Sequence, residues 1–262
     1  MVREAGTLTK TLLGAALIGG LALPAQAQIA ELEEKDAPGA VGGGFSLSAS
    51  AAFTTDYVFR GISQTDENPA VQASLDAAYG IFYIGMWGSN VDFGGGPAGQ
   101  DLANIEIDYY AGIAPEWQGI SFDIGGIYYT YPGAYDPGGE FDYFELKTGL
   151  AYTFMDALTV GVTNYWSPEF FGETGSANAL ELAGEYVFGN QLFNFFDPSV
   201  SALVGFQSLK GNGDYTYWNA GLTLGFMDNF SADVRYWDTD ISSGACTSIC
   251  DSRVVGTLSA SF

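Results

Sequence analysis

The chain has 262 residues, with 8 Lys plus Arg, 31 Asp plus Glu and no His, for a formal net charge of −23. Scattered bases among so many carboxylates exclude a nucleic-acid interface, and the missing imidazole excludes His-based nucleophilic catalysis and His-ligated zinc or haem. A content of 36 Gly, 16 Tyr, 19 Phe and 5 Trp beside only 15% charged residues is also unlike an ordinary soluble domain.

Residues 1–27 carry the marks of an export signal. Arg3 and Lys10 form a basic n-region, Leu12 to Leu23 an apolar stretch, and Ala25-Gln26-Ala27 an A-x-A cleavage site. The apolar stretch reaches only about 18 Å at 1.5 Å per residue, short of a bilayer core near 30 Å. The mature chain is expected to begin at Gln28, with 6 bases and 30 acids once Arg3, Glu4 and Lys10 are removed. Residues 28–44, with Glu31, Glu33, Glu34, Asp36, Pro38 and three consecutive glycines, read as a flexible periplasmic tether.

From Phe45 onward the hydrophobic period is two, the period of a strand. Ile105, Ile107, Tyr109 and Ala111 alternate with Glu106, Asp108, Tyr110 and Gly112; Leu180, Leu182 and Tyr186 alternate with Glu181 and Glu185. Twelve strands are predicted, beginning near Phe45, Ala70, Ile81, Leu102, Gly119, Glu140, Ala157, Ala177, Pro198, Tyr215, Asn229 and Ser252. Their connections alternate between short turns (Tyr79-Gly80, Pro115 to Gln118, Met155-Asp156, Met227-Asp228) and longer loops rich in Gly, Pro and acid. Gly189 to Asp197 breaks this rule, being long and Phe-rich on the short side. The alternation predicts an all-β fold: a closed antiparallel transmembrane β-barrel of about 12 strands over residues 45–262. Closure follows because unpaired backbone amides cost several kcal/mol each in hydrocarbon.

Rings agree with that geometry. Tyr79, Trp117, Phe154, Phe188, Phe226 and Phe262 end the strands that run toward the short turns, as one interfacial girdle. A second girdle is expected from Tyr57, Phe59, Tyr128, Trp166, Trp218 and Trp237.

If the apolar parity faces lipid, the lumen receives Asp56, Asp76, Glu106, Asp108, Asp123, Glu145, Glu181, Glu185 and Asp233 against Arg60, Lys147, Arg235 and Arg253. Such a wall favours cations. The competing reading pairs Asp56 with Arg60, Glu145 with Lys147 and Asp233 with Arg235 along their own strands, as a plug. Twelve strands lie between barrels filled by side chains and those holding an aqueous channel. Alternation along Asp56 to Gly61 puts Asp56, Val58 and Arg60 inward and Tyr57 and Phe59 outward, as part of the barrel wall.

Cys246 and Cys250, four apart in the last long loop of an exported chain, are expected to form a local disulfide. Gly94 to Gly99 lacks the Lys-Ser or Lys-Thr of a phosphate loop, and Asp136, Glu140 and Asp142 lack the spacing of a calcium hand. No catalytic residue, metal or cofactor is expected.

Thr54-Thr55-Asp56-Tyr57-Val58-Phe59-Arg60-Gly61-Ile62-Ser63-Gln64 followed by Pro69-Ala70-Val71-Gln72, then Phe82 to Phe93 and Tyr128 to Ala134, resemble the TorF family of porin-like proteins. The resemblance spans Phe45 to Phe262. It implies a proteobacterial outer-membrane barrel of uncharacterised substrate, and transfers no binding residue. The last strand, with Val254, Gly256, Leu258, Ala260 and Phe262 on one parity, is also similar to the C-terminal signal by which such barrels engage the assembly machinery. The combined expectation is an outer-membrane protein in contact with lipid and lipopolysaccharide, passing small hydrophilic solutes with modest cation preference. A closed structural or adhesive barrel presenting acidic loops is the alternative.

Overall fold

The computed structural model describes residues 44–96, 99–136, 139–210, 213–242 and 246–262. The expected export signal over 1–27 and nearly all of the expected tether over 28–44 therefore lie outside the described residues. Twelve strands form the barrel: β1 (Phe45–Thr54), β2 (Ala70–Tyr79), β3 (Phe82–Asn90), β4 (Ile105–Ile113), β5 (Ile120–Thr130), β6 (Tyr143–Phe154), β7 (Leu158–Ser167), β8 (Ala177–Val187), β9 (Asp197–Leu209), β10 (Tyr215–Phe226), β11 (Phe230–Thr239) and β12 (Arg253–Ser261). Each pairs antiparallel with its neighbours in the chain, and the ring is sealed where β1 meets β12, with Ser50 opposite Ser261 and Thr54 opposite Thr257. Reciprocal backbone bonds of 2.9 Å between Ala49 and Phe262 extend that seam by one more pair. Among the described residues no helix is long and apolar enough to cross a membrane.

Alternation along the strands places two chemistries on two faces. In β2, Gln72, Ser74 and Asp76 are buried inside while Val71, Leu75 and Tyr79 are exposed on the outer wall. In β4, Glu106, Asp108 and Tyr110 are buried while Ile105 and Tyr109 face out. Such a barrel turned inside out by one register would present its carboxylates to lipid, so the burial of one face fixes the pairing. Tight packing inside also explains part of the glycine content. Gly112 and Gly125 lie beneath the Tyr83 ring, where any Cβ would collide with the phenol.

Turns on one rim are tight. Met155-Asp156 and Met227-Asp228 take φ of 54° and 53°, and 54° and 63°, a left-handed pair that reverses the chain within a connection of three residues. Gly189 to Asp197, the exception in the sequence, is a small hairpin of its own, with Leu192 bridged to Phe196 and Phe193 and Asn194 at positive φ. Its Phe195 stacks at 6.1 Å on Phe226, which stacks in turn at 5.8 Å on Phe230. The extra residues thus thicken the interfacial ring at this rim. Tyr79, Trp117, Phe154, Phe188 and Phe262 are all exposed there.

The other rim departs from expectation in two places. β1 stops at Thr54, and residues 55–69 turn into the barrel as a miniature hairpin pairing Val58–Phe59 with Ile62–Ser63. Tyr57 and Phe59 therefore do not join an outer girdle. Tyr57 is buried against Trp87 with ring centroids 5.3 Å apart, and Phe59 meets Tyr129 at 5.9 Å. Trp237 is buried inside as well, which its own parity in β11 demands, because it shares a face with Asp233 and Arg235. Tyr128 and Trp166 remain on the outer wall.

Candidate functional site

The interior is where the chain concentrates its ionisable groups. Asp56, Arg60, Asp76, Glu106, Asp108, Asp123, Glu145, Lys147, Glu181, Glu185, Asp233 and Arg235 all lie inside the barrel, between 0 and 7% exposed. The periodicity of the wall strands delivers ten of these; Asp56 and Arg60 arrive with the segment that turns inward after β1.

Arg60 sits at the tip of the inner hairpin with φ 47°, followed by Gly61 at φ 83°. The turn presses against the wall at β10 and β11, where a Cβ on Gly61 would overlap the Thr239 methyl and stand 2.9 Å from Tyr217 Cβ. The guanidinium is thereby held inside the barrel. It donates to both Glu145 oxygens at 2.8 and 2.7 Å and to Gln207 at 3.1 Å. The Phe59 and Tyr165 rings flank it with centroids 4.7 and 4.9 Å away. Because the hairpin brings β1's continuation against β6, β7 and β9, this contact set narrows the lumen.

The remaining bases find acids, mostly not those adjacent in sequence. Lys147 pairs across β5 and β6 with Asp123 at 2.6 Å, and Arg253 reaches Asp56 at 2.7 Å. The pairings expected from spacing, Asp56 with Arg60 and Glu145 with Lys147, are not formed. Asp56 instead accepts hydroxyl bonds from Ser63 and Thr65 at 2.6 and 2.9 Å, which set the entry to the inner hairpin. Arg60, carried away by the turn, takes Glu145. Only Asp233 with Arg235, at 3.3 Å, follows the same-strand rule. Arg235 also donates to Asn219 at 2.6 Å and Ser201 at 2.8 Å.

The nine interior acids exceed the four bases by five. Tyrosines hold several of the surplus carboxylates: Tyr110 donates to Asp76, Tyr57 to Glu106 at 3.2 Å, and Tyr217 to Glu181 at 2.5 Å. Glu106 Oε2 and both oxygens of Asp108 have no hydrogen-bond partner among the described residues, and Trp87, directly opposite Asp108, keeps its indole N–H unpartnered too.

Above this polar layer lies a cavity of about 520 Å³ at the long-loop rim. Its walls are rings that periodicity did not reveal, because Phe93, Phe141, Phe170 and Phe171 belong to loops. Phe141 stacks on Phe171 at 4.6 Å and Phe93 meets Tyr131 at a tilt, with centroids 5.3 Å apart. The available signal was the recurrence of Phe beside acid in three loops, at Asp92-Phe93, Glu140-Phe141 and Glu169-Phe170-Phe171. In the same loops Glu140 titrates above the ordinary glutamate range, chiefly through repulsion from Asp136, with local burial and Asp142 adding to it. Close by, Cys246 and Cys250 are joined as a disulfide.

Residues 38–262 match a family described as a bacterial protein of unknown function, Gcw_chp. The chain belongs to that family. No curated protein matches it in sequence. Among solved structures it is similar to the KdgM porin, at 8% identity and TM-score 0.55 over 82% of this chain and 98% of that one. A KdgM porin in complex with disordered oligogalacturonate aligns at 9% identity and TM-score 0.52, covering 83% and 99%. The NanC porin aligns at 10% identity and TM-score 0.47, covering 83% and 99%. At these identities the likeness is one of fold: this Gcw_chp protein has the architecture of an outer-membrane porin.

Proposed function

We propose that this protein is a porin-like channel of the outer membrane, passing small hydrophilic solutes through a constricted lumen with modest preference for cations. The observation that carries the reading is the excess of five acids over bases on the inner wall of a closed membrane barrel. Charge confined in a narrow, poorly screened passage biases entry toward the opposite sign. A polyanionic sugar of the kind bound in the KdgM complex would meet repulsion here.

The likeness to TorF proteins, the export signal at 1–27 and the aromatic rims support delivery to the outer membrane. Lipid and lipopolysaccharide would then bathe the outer wall, and Phe262 would serve the assembly machinery. A second reading, a closed barrel that displays its loops, draws support from the near-complete burial of Arg60, Glu145 and Arg235 across the lumen. Conductance separates the two. Refolded mature protein in planar bilayers should give discrete current steps, and a salt gradient should give a reversal potential of cationic sign. Asp108→Asn combined with Asp123→Asn should move that potential toward zero. Absence of steps would favour the closed barrel, and an anionic sign would overturn the selectivity.

A further inference from the structure

The cavity at the long-loop rim is chemically unlike the lumen beneath it. Phe59, Phe93, Tyr131, Phe141, Phe170 and Phe171 wall it, supplied by the inner hairpin and by three separate loops. These rings are packed edge-on, tilted or stacked against one another, which fixes their positions. The five phenylalanines nevertheless remain only half-buried, so the walls keep apolar surface turned toward the void, while Tyr131 is buried behind them. A volume of about 520 Å³ is that of an ordinary small-molecule site, and contiguous apolar surface at a water-facing mouth marks binding surface.

Charge decides which molecule. Among the described residues that line the cavity, none is Lys or Arg, while Asp66 and Asp92 stand exposed at its edge. Arg60, the nearest interior base, is spent on Glu145 and covered by Phe59. Aromatic faces carry partial negative charge and attract cations, most strongly where water is excluded. Wall and rim therefore favour the same ligand sign.

We infer that this vestibule is a binding site for a planar aromatic or polycyclic molecule bearing one positive charge. The apolar body would lie among Phe93, Phe141 and Phe171, with the cation toward Asp66 and Asp92. Binding there stands whether or not the barrel conducts, so the site goes beyond the channel reading.

The test uses the full mature barrel in nanodiscs of zwitterionic lipid. Three probes share one ring system and differ in charge: 1-pyrenemethylammonium, 1-pyrenemethanol and 1-pyrenesulfonate. Energy transfer from tryptophan to pyrene is read against empty nanodiscs, and heat-modifiable gel mobility verifies folding of every variant. The cation should bind saturably and about five-fold or more tighter than the sulfonate, the order expected for one partly screened charge contact. Asp66→Asn with Asp92→Asn, both at exposed loop positions, should bring the cation and sulfonate within about two-fold and leave the alcohol unchanged. Phe141→Ala with Phe171→Ala should weaken all saturable binding about ten-fold, from the loss of two ring contacts. No saturable signal above empty discs, equal affinity for cation and sulfonate in the unmodified protein, or indifference to the double Phe change would each overturn the assignment.

Discussion

Replacing Arg60 with methionine removes the guanidinium while keeping a stem of similar length. The loss includes two charge-assisted bonds to Glu145, at 2.8 and 2.7 Å, one to Gln207 at 3.1 Å, and two ring contacts. Glu145 is 1% exposed and would retain only the Tyr129 hydroxyl at 3.0 Å. Breaking a buried ion pair from one side costs about 3–5 kcal/mol, most of it the stranded charge. Glu145→Gln relieves that charge, so the double variant Arg60→Met, Glu145→Gln should be more stable than the sum of the singles by about 2 kcal/mol or more. Reversible urea unfolding in lipid vesicles, followed by tryptophan emission, gives the four corners of the cycle. The same variants in planar bilayers should show larger current steps, because the hairpin tip loses its anchor. A cost below about 1 kcal/mol for Arg60→Met, the range of an exposed ion pair, would refute the buried clamp. So would additivity of the two changes.

Three further outcomes follow from the geometry. Gly61→Ala meets both a positive φ and the wall at β10 and β11, so it should destabilise the inner hairpin by about 1–3 kcal/mol and raise protease cleavage within 55–69. The Cys246–Cys250 bridge should appear as a mass gain of about two hydrogens on reduction; because it closes so short a loop, Cys246→Ser with Cys250→Ser should cost about 2 kcal/mol at most, read as faster proteolysis of that loop. Glu140 should titrate by NMR above an ordinary glutamate, and Asp136→Asn should lower its midpoint. Since the fold raises this midpoint, ionised Glu140 opposes loop order at high pH, and that opposition fades as pH falls through the folded midpoint and is gone below the unfolded one.

The wall of the barrel was readable because period two is a local property. Ile105 to Ile113 announces its own faces, and the starts foreseen at Phe45, Ala70, Ala177 and Tyr215 coincide with the strands. Residues 55–62 look like wall for the same reason: a hairpin folded inward alternates just as a wall strand does, and only Arg60-Gly61, with its left-handed backbone, marks the reversal. The ring of Trp237 suggests a girdle, although its parity with Asp233 and Arg235 points inward. Ion-pair partners were beyond reach, since Arg60 and Glu145 lie 85 residues apart and Arg253 and Asp56 197. The loop phenylalanines of the vestibule carry no period at all, and their convergence depends on how four connections fold over one mouth.

The seam between β1 and β12 joins residues about two hundred positions apart, as in the bond from Gly256 to Thr55. A ring locked by its opening and closing ribbons has no stable half-built form, because every earlier stage leaves two raw edges. Closure must therefore wait until the last strand is available to meet the first. Trimming β12 should abolish the product outright rather than yield a smaller cylinder.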